Sequence, residues 1–126
     1  MKKLLYLAGP ISANPTAKEG FEAAVSALEN AGYAVKNPFK ISPSQYFEEY
    51  GQMTLKDQEF AQLKADLIEM LFCDGVATMP LNHSSRGTAR ELALAFSLEM
   101  IVMPVGEWLK ESMIERNQGD EYGQRI

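Results

Sequence analysis

The sequence predicts an α/β domain in which a parallel sheet is wrapped on both faces by helices. Two observations carry this expectation. Short apolar runs without polar alternation, "KLLYLA" at 3–8 and "GVATM" at 75–79, suit strands buried on both sides. Between such runs lie stretches of helical periodicity, and parallel strands joined in this order need right-handed crossovers that place helices over the sheet.

Each element has its own signal. The run Lys3 to Ala8 stops at Gly9-Pro10, a chain breaker, and reads as the first strand. In "KEGFEAAVSALENA", from Lys18 to Ala31, Phe21, Ala24, Val25, Leu28 and Ala31 recur at steps of three and four, and Gly32 follows as a stop. "YAVKNP" reads as a second strand that ends before Pro38, whereas Phe39 to Met53 reads as a loop rich in aromatic residues. Thr54 is an N-cap candidate for a long helix to Phe72, with Phe60, Leu63, Leu67, Met70 and Leu71 on one stripe. A third strand over Gly75 to Met79, a helix from about Gly87 to Met100, a fourth strand over Ile101 to Val105 and a last helix around Trp108 to Glu115 complete the expected order. The result is a three-layer, Rossmann-like parallel sheet of four or five strands. One domain over 1–116 is expected, with "NQGDEYGQRI" at 117–126 as a flexible tail.

Bulk properties narrow the function. A chain of 126 residues, 46% hydrophobic and 23% charged, with 6 prolines, has the composition of one ordinary globular domain. Twelve Lys and Arg against 17 Asp and Glu leave a net charge of −5, which repels a nucleic acid polymer at long range. The opening "MKKLLYLAGP" has about six apolar residues before Gly9, too few for a signal peptide core or a membrane span, so a cytoplasmic protein is expected. With Cys73 and His83 the single members of their kinds, neither a disulfide nor a metal site is expected, and no cofactor is implied.

Ligands of such sheets sit at the carboxyl ends of the strands. That directs attention to the loops Gly9 to Ala17, Asn37 to Pro43 and Pro80 to Arg86. Within reach of the last of these, "TARE" matches a capping box, in which Thr88 caps a helix and Glu91 reaches back to the cap's amide. Glu91 has a second use at the same place, since the positive end of a helix favours an ionised carboxylate. Asp66 lies at the flank of the apolar stripe of its helix, beside Leu63 and Met70, rather than on the solvated side with Glu69. His83 reads as a solvated loop residue, Cys73 as a small apolar filler, and Asp74 as a helix terminator through local hydrogen bonds. Trp108 either covers the sheet edge or forms a dimer contact.

Three ordered motifs, "YLAGPIS" at 6–12, "DLIEMLFCD" at 66–74 and "SSRGTARELALA" at 84–95, resemble the nucleoside 2-deoxyribosyltransferase superfamily. The likeness is nearest to its small deoxynucleoside 5'-monophosphate N-hydrolases and short phage-borne members. It implies that Glu91, in the G-x-x-x-E stretch after Gly87, is the nucleophile toward the anomeric carbon of a deoxyribose. It further implies that Asp66 helps protonate the departing base, that Tyr6 positions the nucleophile, and that Gly9, Pro10, Ile11, Ser12 and Ser85, with Arg86 and Gly87 beside them, contact the substrate and its 5'-phosphate. The expected partner is then a small deoxynucleoside or deoxynucleotide, the expected assembly a homo-oligomer, and the expected reaction hydrolysis or transfer at an N-glycosidic bond. A non-catalytic nucleotide-binding module of the same fold is the alternative. The sequence departs from the family in one place near the site, where Ala93 stands in the usual position of a glycine.

Overall fold

Leu5, Tyr6, Leu7 and Ala8 are all fully buried, which is the signature of a strand covered on both faces. They belong to β1 (Leu4–Ala8), the first element of a computed structural model that describes residues 2–11, 15–80 and 86–125, with backbone alone at 86 and 116–125. The remaining elements follow in chain order as α1 (Ala17–Asn30), β2 (Ala34–Lys36), α2 (Leu55–Leu71), β3 (Gly75–Thr78), α3 (Arg86–Ser97), β4 (Ile101–Pro104) and α4 (Val105–Arg125). Four parallel strands form one sheet in the order β2-β1-β3-β4. The protein is therefore the three-layer α/β, Rossmann-like fold that the sequence predicts.

Alternation along the strands sorts side chains into two cores. Leu5, Leu7 and Ala77 face one way and pack with Phe21, Ala24 and Leu28 of α1 and Trp108 of α4. Tyr6, Ala8 and Val76 face the other way and pack with Ala65 and Met70 of α2 and Ala95 of α3. Trp108 is buried, donates from Nε1 to the Val76 carbonyl at 2.9 Å and lies edge-on to Tyr33 at 5.7 Å between centroids. Of the two roles its sequence position allows, it has the one that covers the sheet. The space for its ring exists because residue 75 is glycine: a Cβ there would come within 2.8 Å of the indole.

Helix ends show how the sequence sets the boundaries. Thr54 caps α2, its hydroxyl accepting from the Asp57 amide at 3.1 Å. At the end of α1, Gly32 has φ +103°, the Tyr33 amide donates to the Leu28 carbonyl and the Gly32 amide to that of Glu29. This is a Schellman motif, in which glycine takes the left-handed position at no steric cost. The same pair of bonds closes α3, from Met100 to Ala95 and from Glu99 to Phe96, but here Glu99 occupies the left-handed position at φ 56°.

Four local expectations change. The segment after β2 is not structureless: it makes three single 3-10 turns, Pro38–Lys40, Pro43–Gln45 and Tyr50–Gln52, two of them started by proline. Its aromatic residues anchor it, Phe39 edge-on to Phe21 at 5.2 Å and Phe47 under the Lys64 ammonium at 6.0 Å. Helix α4 begins directly after β4 and is continuous to Arg125, longer at both ends than the stretch around Trp108 to Glu115. Asp74 does not terminate a helix locally; its Oδ2 accepts from the Leu4 amide at 2.7 Å, while its own amide donates to the Leu4 carbonyl, pinning β3 to β1 at their starts. The fourth change concerns the start of α3 and bears on the site.

Candidate active site

The strand order places β1 beside β3, with β2 outward on one side and β4 on the other. This is the point at which the crossovers leave in opposite directions, where the carboxyl ends of neighbouring strands open a crevice. Gly9 and Pro10 are buried at the end of β1, and Ile11 packs against the α1 side of the core. Gly9 approaches its neighbour so closely that a Cβ would sit 2.7 Å from Met79 Cβ. Across the crevice Gly87 lies in the first turn of α3, and Arg86 opens that helix. Ser12, Ser85 and His83 lie outside the described residues.

Tyr6, Asp66 and Glu91 come from β1, α2 and α3 and meet on the α2/α3 face of the sheet. Tyr6 projects from the middle of β1 into the core that holds Ala65 and Ala95, each one residue or one turn from the two carboxylates. All three are buried, Tyr6 at 0%, Asp66 at 7% and Glu91 at 6% exposure. Burial is the largest influence on each. It pushes the Glu91 carboxyl up to about 7, the nearby Tyr6 hydroxyl drawing it back down and the Asp66 charge adding to the rise. It raises Asp66 to about 6 against the opposing pull of the Gln62 amide. The Tyr6 phenol is likewise raised, first by burial and then by the charges of Glu91 and Asp66.

Tyr6 and Glu91 are opposed and feel one another, yet neither the Tyr6 hydroxyl nor Glu91 Oε2 closes a hydrogen bond of good geometry. A buried carboxylate oxygen left open in this way is costly in a structural residue and ordinary in a reactive one. The capping-box reading of "TARE" fails here. Helix α3 starts at Arg86, so Thr88 already lies inside its first turn and Glu91 beyond it. At that depth the helix's terminal charge has faded and desolvation prevails, so Glu91 is displaced upward rather than held ionised.

Gln62 was not marked by the sequence reading and proves to be part of this site. Its Nε2 donates to Asp66 Oδ1 at 2.8 Å and to the Ile41 carbonyl at 3.3 Å. One turn earlier Gln58 Nε2 reaches the Tyr50 carbonyl at 3.1 Å and that of Met53 at 3.4 Å. The signal was available: residues 58, 62 and 66 stand four apart and so share one face of α2. Cys73 is apart from the chemistry, its thiol buried and pushed up to about 12, in keeping with its role as apolar filler.

Two cavities flank the sheet. One of about 200 Å³ lies between Pro10, Met79 and Pro80 and the first turns of α1 at Thr16 and Gly20. Another of about 350 Å³ lies along β2 between Lys36, Lys40, Glu29 and Glu69. Neither is lined by Tyr6, Asp66 or Glu91. Among the described residues no group of three or more His, Cys, Asp or Glu side chains is placed to hold a metal, and no helix is long and apolar enough to cross a membrane.

A family model described as a domain of unknown function (DUF4406) matches residues 3–104. The chain belongs to that family. The DUF4406 stretch takes in all four strands and the three residues of the site, and it ends where α4 begins. No curated protein matches the chain.

Proposed function

We propose that this DUF4406 protein cleaves the N-glycosidic bond of a 2'-deoxynucleoside or its 5'-monophosphate, with Glu91 as nucleophile, and that its resemblance to the nucleoside 2-deoxyribosyltransferase superfamily reflects common chemistry. The observation that carries the proposal is the meeting of two buried carboxyls with a phenol, one carboxylate oxygen left without a partner, beside the β1/β3 crevice.

The reaction follows from these groups. Glu91 attacks the anomeric carbon, the carbon–nitrogen bond breaks with its electron pair leaving on the base, and Asp66 gives the base its proton. Water, or a second base in the transfer reaction, then attacks the same carbon and releases Glu91, its proton passing to the Asp66 carboxylate. Glu91 must therefore be ionised while Asp66 is protonated, a state in which the pair holds one proton. With Glu91 at about 7 and Asp66 at about 6, the pair holds one proton in the mildly acidic to neutral range. Most of that state carries the proton on Glu91, and the productive form, with the proton on Asp66, is about a tenth of it, from which the reaction proceeds. Tyr6 favours the charge on Glu91 and so favours the productive arrangement. Water is the favoured acceptor, and a 5'-phosphate would be held by the backbone amides of Gly9 and Ile11, Pro10 having none to give, and by those at the start of α3.

The test is direct. The protein is incubated with a panel of deoxynucleosides and deoxynucleoside 5'-monophosphates, and free base is followed by chromatography. Wild type releases base from at least one of them, and Glu91→Ala, still folded, releases none. If neither protein releases base and both bind nucleotide, the chain is a binding module of the same fold and the proposal fails.

A further inference from the structure

The orientation of the Gln62 amide is fixed by its surroundings. A backbone carbonyl only accepts, so the Gln62 atom that meets the Ile41 oxygen is the NH2 group. That same nitrogen, which has no acceptor capacity, meets Asp66 Oδ1 at 2.8 Å. Oδ1 must accept in every protonation state of Asp66, and a proton on this carboxyl can reside only on Oδ2. We propose that Gln62 is a positioning residue, which holds Oδ1 of Asp66 as an acceptor and thereby leaves Oδ2 as the one oxygen that delivers a proton to the departing base.

This inference rests on the proposed N-glycosidic cleavage for its consequence, although not for its geometry. The bond to Ile41 matters as much as the bond to Asp66. Ile41 is buried in the same core as Tyr6 and Ala65, so the acid's orientation is tied to the turn that follows β2 as well as to its own helix. The titratable groups that face Asp66 are Tyr6 from β1 and Glu91 from α3, and from the 38–41 turn it is the Ile41 carbonyl that enters this network. A donated hydrogen bond stabilises the ionised carboxyl, so Gln62 also keeps Asp66 a stronger acid than burial alone would.

Gln62→Met keeps the length of the side chain and removes the donor. In this variant the carboxyl carbon of Asp66, followed by NMR across pH, titrates about one pH unit higher than in wild type. The alkaline limb of kcat for base release moves upward with it, kcat falls about tenfold, and KM stays within about twofold. Should Gln62→Met not fold, Gln62→Asn, which keeps an amide too short to span both acceptors, is measured in its place with the same expected direction. An Asp66 titration unchanged from wild type in the folded variant overturns the role of Gln62. A shifted titration in a protein that releases no base from any substrate leaves that role standing and overturns the proposed reaction instead.

Discussion

Replacing Glu91 by glutamine removes a charge that the fold accommodates at a cost. A free glutamate titrates at 4.5, and burial holds Glu91 at about 7 in the folded protein. The folded state therefore binds this proton more tightly than the unfolded state. The stability the protonated form confers is complete below 4.5 and is lost progressively as pH rises from 4.5 to 7. Each pH unit of that interval corresponds to about 1.4 kcal/mol, so the charged form costs the fold about 3 kcal/mol above pH 7. Glutamine matches the protonated acid in shape and carries no such cost. Urea unfolding should accordingly show Glu91→Gln more stable than wild type by about 2 to 3 kcal/mol at pH 8 and nearly equal to it at pH 4.5. The gain accompanies loss of base release, as expected where a site is held in a state the fold disfavours. A variant no more stable than wild type at pH 8, or a difference of the same size at both pH values, would refute the placement of Glu91 as a desolvated charge.

Three further outcomes follow from the structure. Tyr6→Phe removes the group that draws the Glu91 carboxyl down, so the acid limb of kcat should move to higher pH and kcat should fall about 10- to 100-fold, while the fold, which loses a hydroxyl that closes no hydrogen bond of good geometry, is retained. Gly75→Ala places a methyl 2.8 Å from the Trp108 ring and 3.0 Å from the Ile101 carbonyl, and thermal unfolding should report a loss of about 2 kcal/mol with a changed tryptophan emission. Glu99→Gly relieves a left-handed residue at the end of α3 and should stabilise the protein by about 1 kcal/mol in the same assay.

What could be read from the sequence was whatever one local signal decides. The strands β1 and β3 were legible because an apolar run bounded by breakers has one reading in a sheet covered on both faces. The end of α1 was legible because Gly32 is the residue that its closing motif prefers. Asp66 was legible because its place on the helical wheel set it at the rim of the core. The rest depended on partners far along the chain. Asp74 looked like a helix terminator, yet its side chain serves Leu4, and nothing local announces a bond across the sheet. The "TARE" motif pointed to a cap that the helix has already passed, since α3 is under way from Arg86 and Thr88 lies inside its first turn. The end of α3 carries no glycine, so its Schellman motif had no letter to betray it. Gln62 escaped because a glutamine on a helix is unremarkable until the turn at Ile41 folds over it.

The most direct measurement of the central claim is a mass spectrum of the protein quenched during turnover with a deoxynucleoside 5'-monophosphate. The account predicts a deoxyribosyl phosphate adduct on the peptide that carries Glu91, formed as free base appears and absent from Glu91→Gln. Turnover with an adduct at another residue, or no base released from any member of the substrate panel by the folded protein, would contradict it.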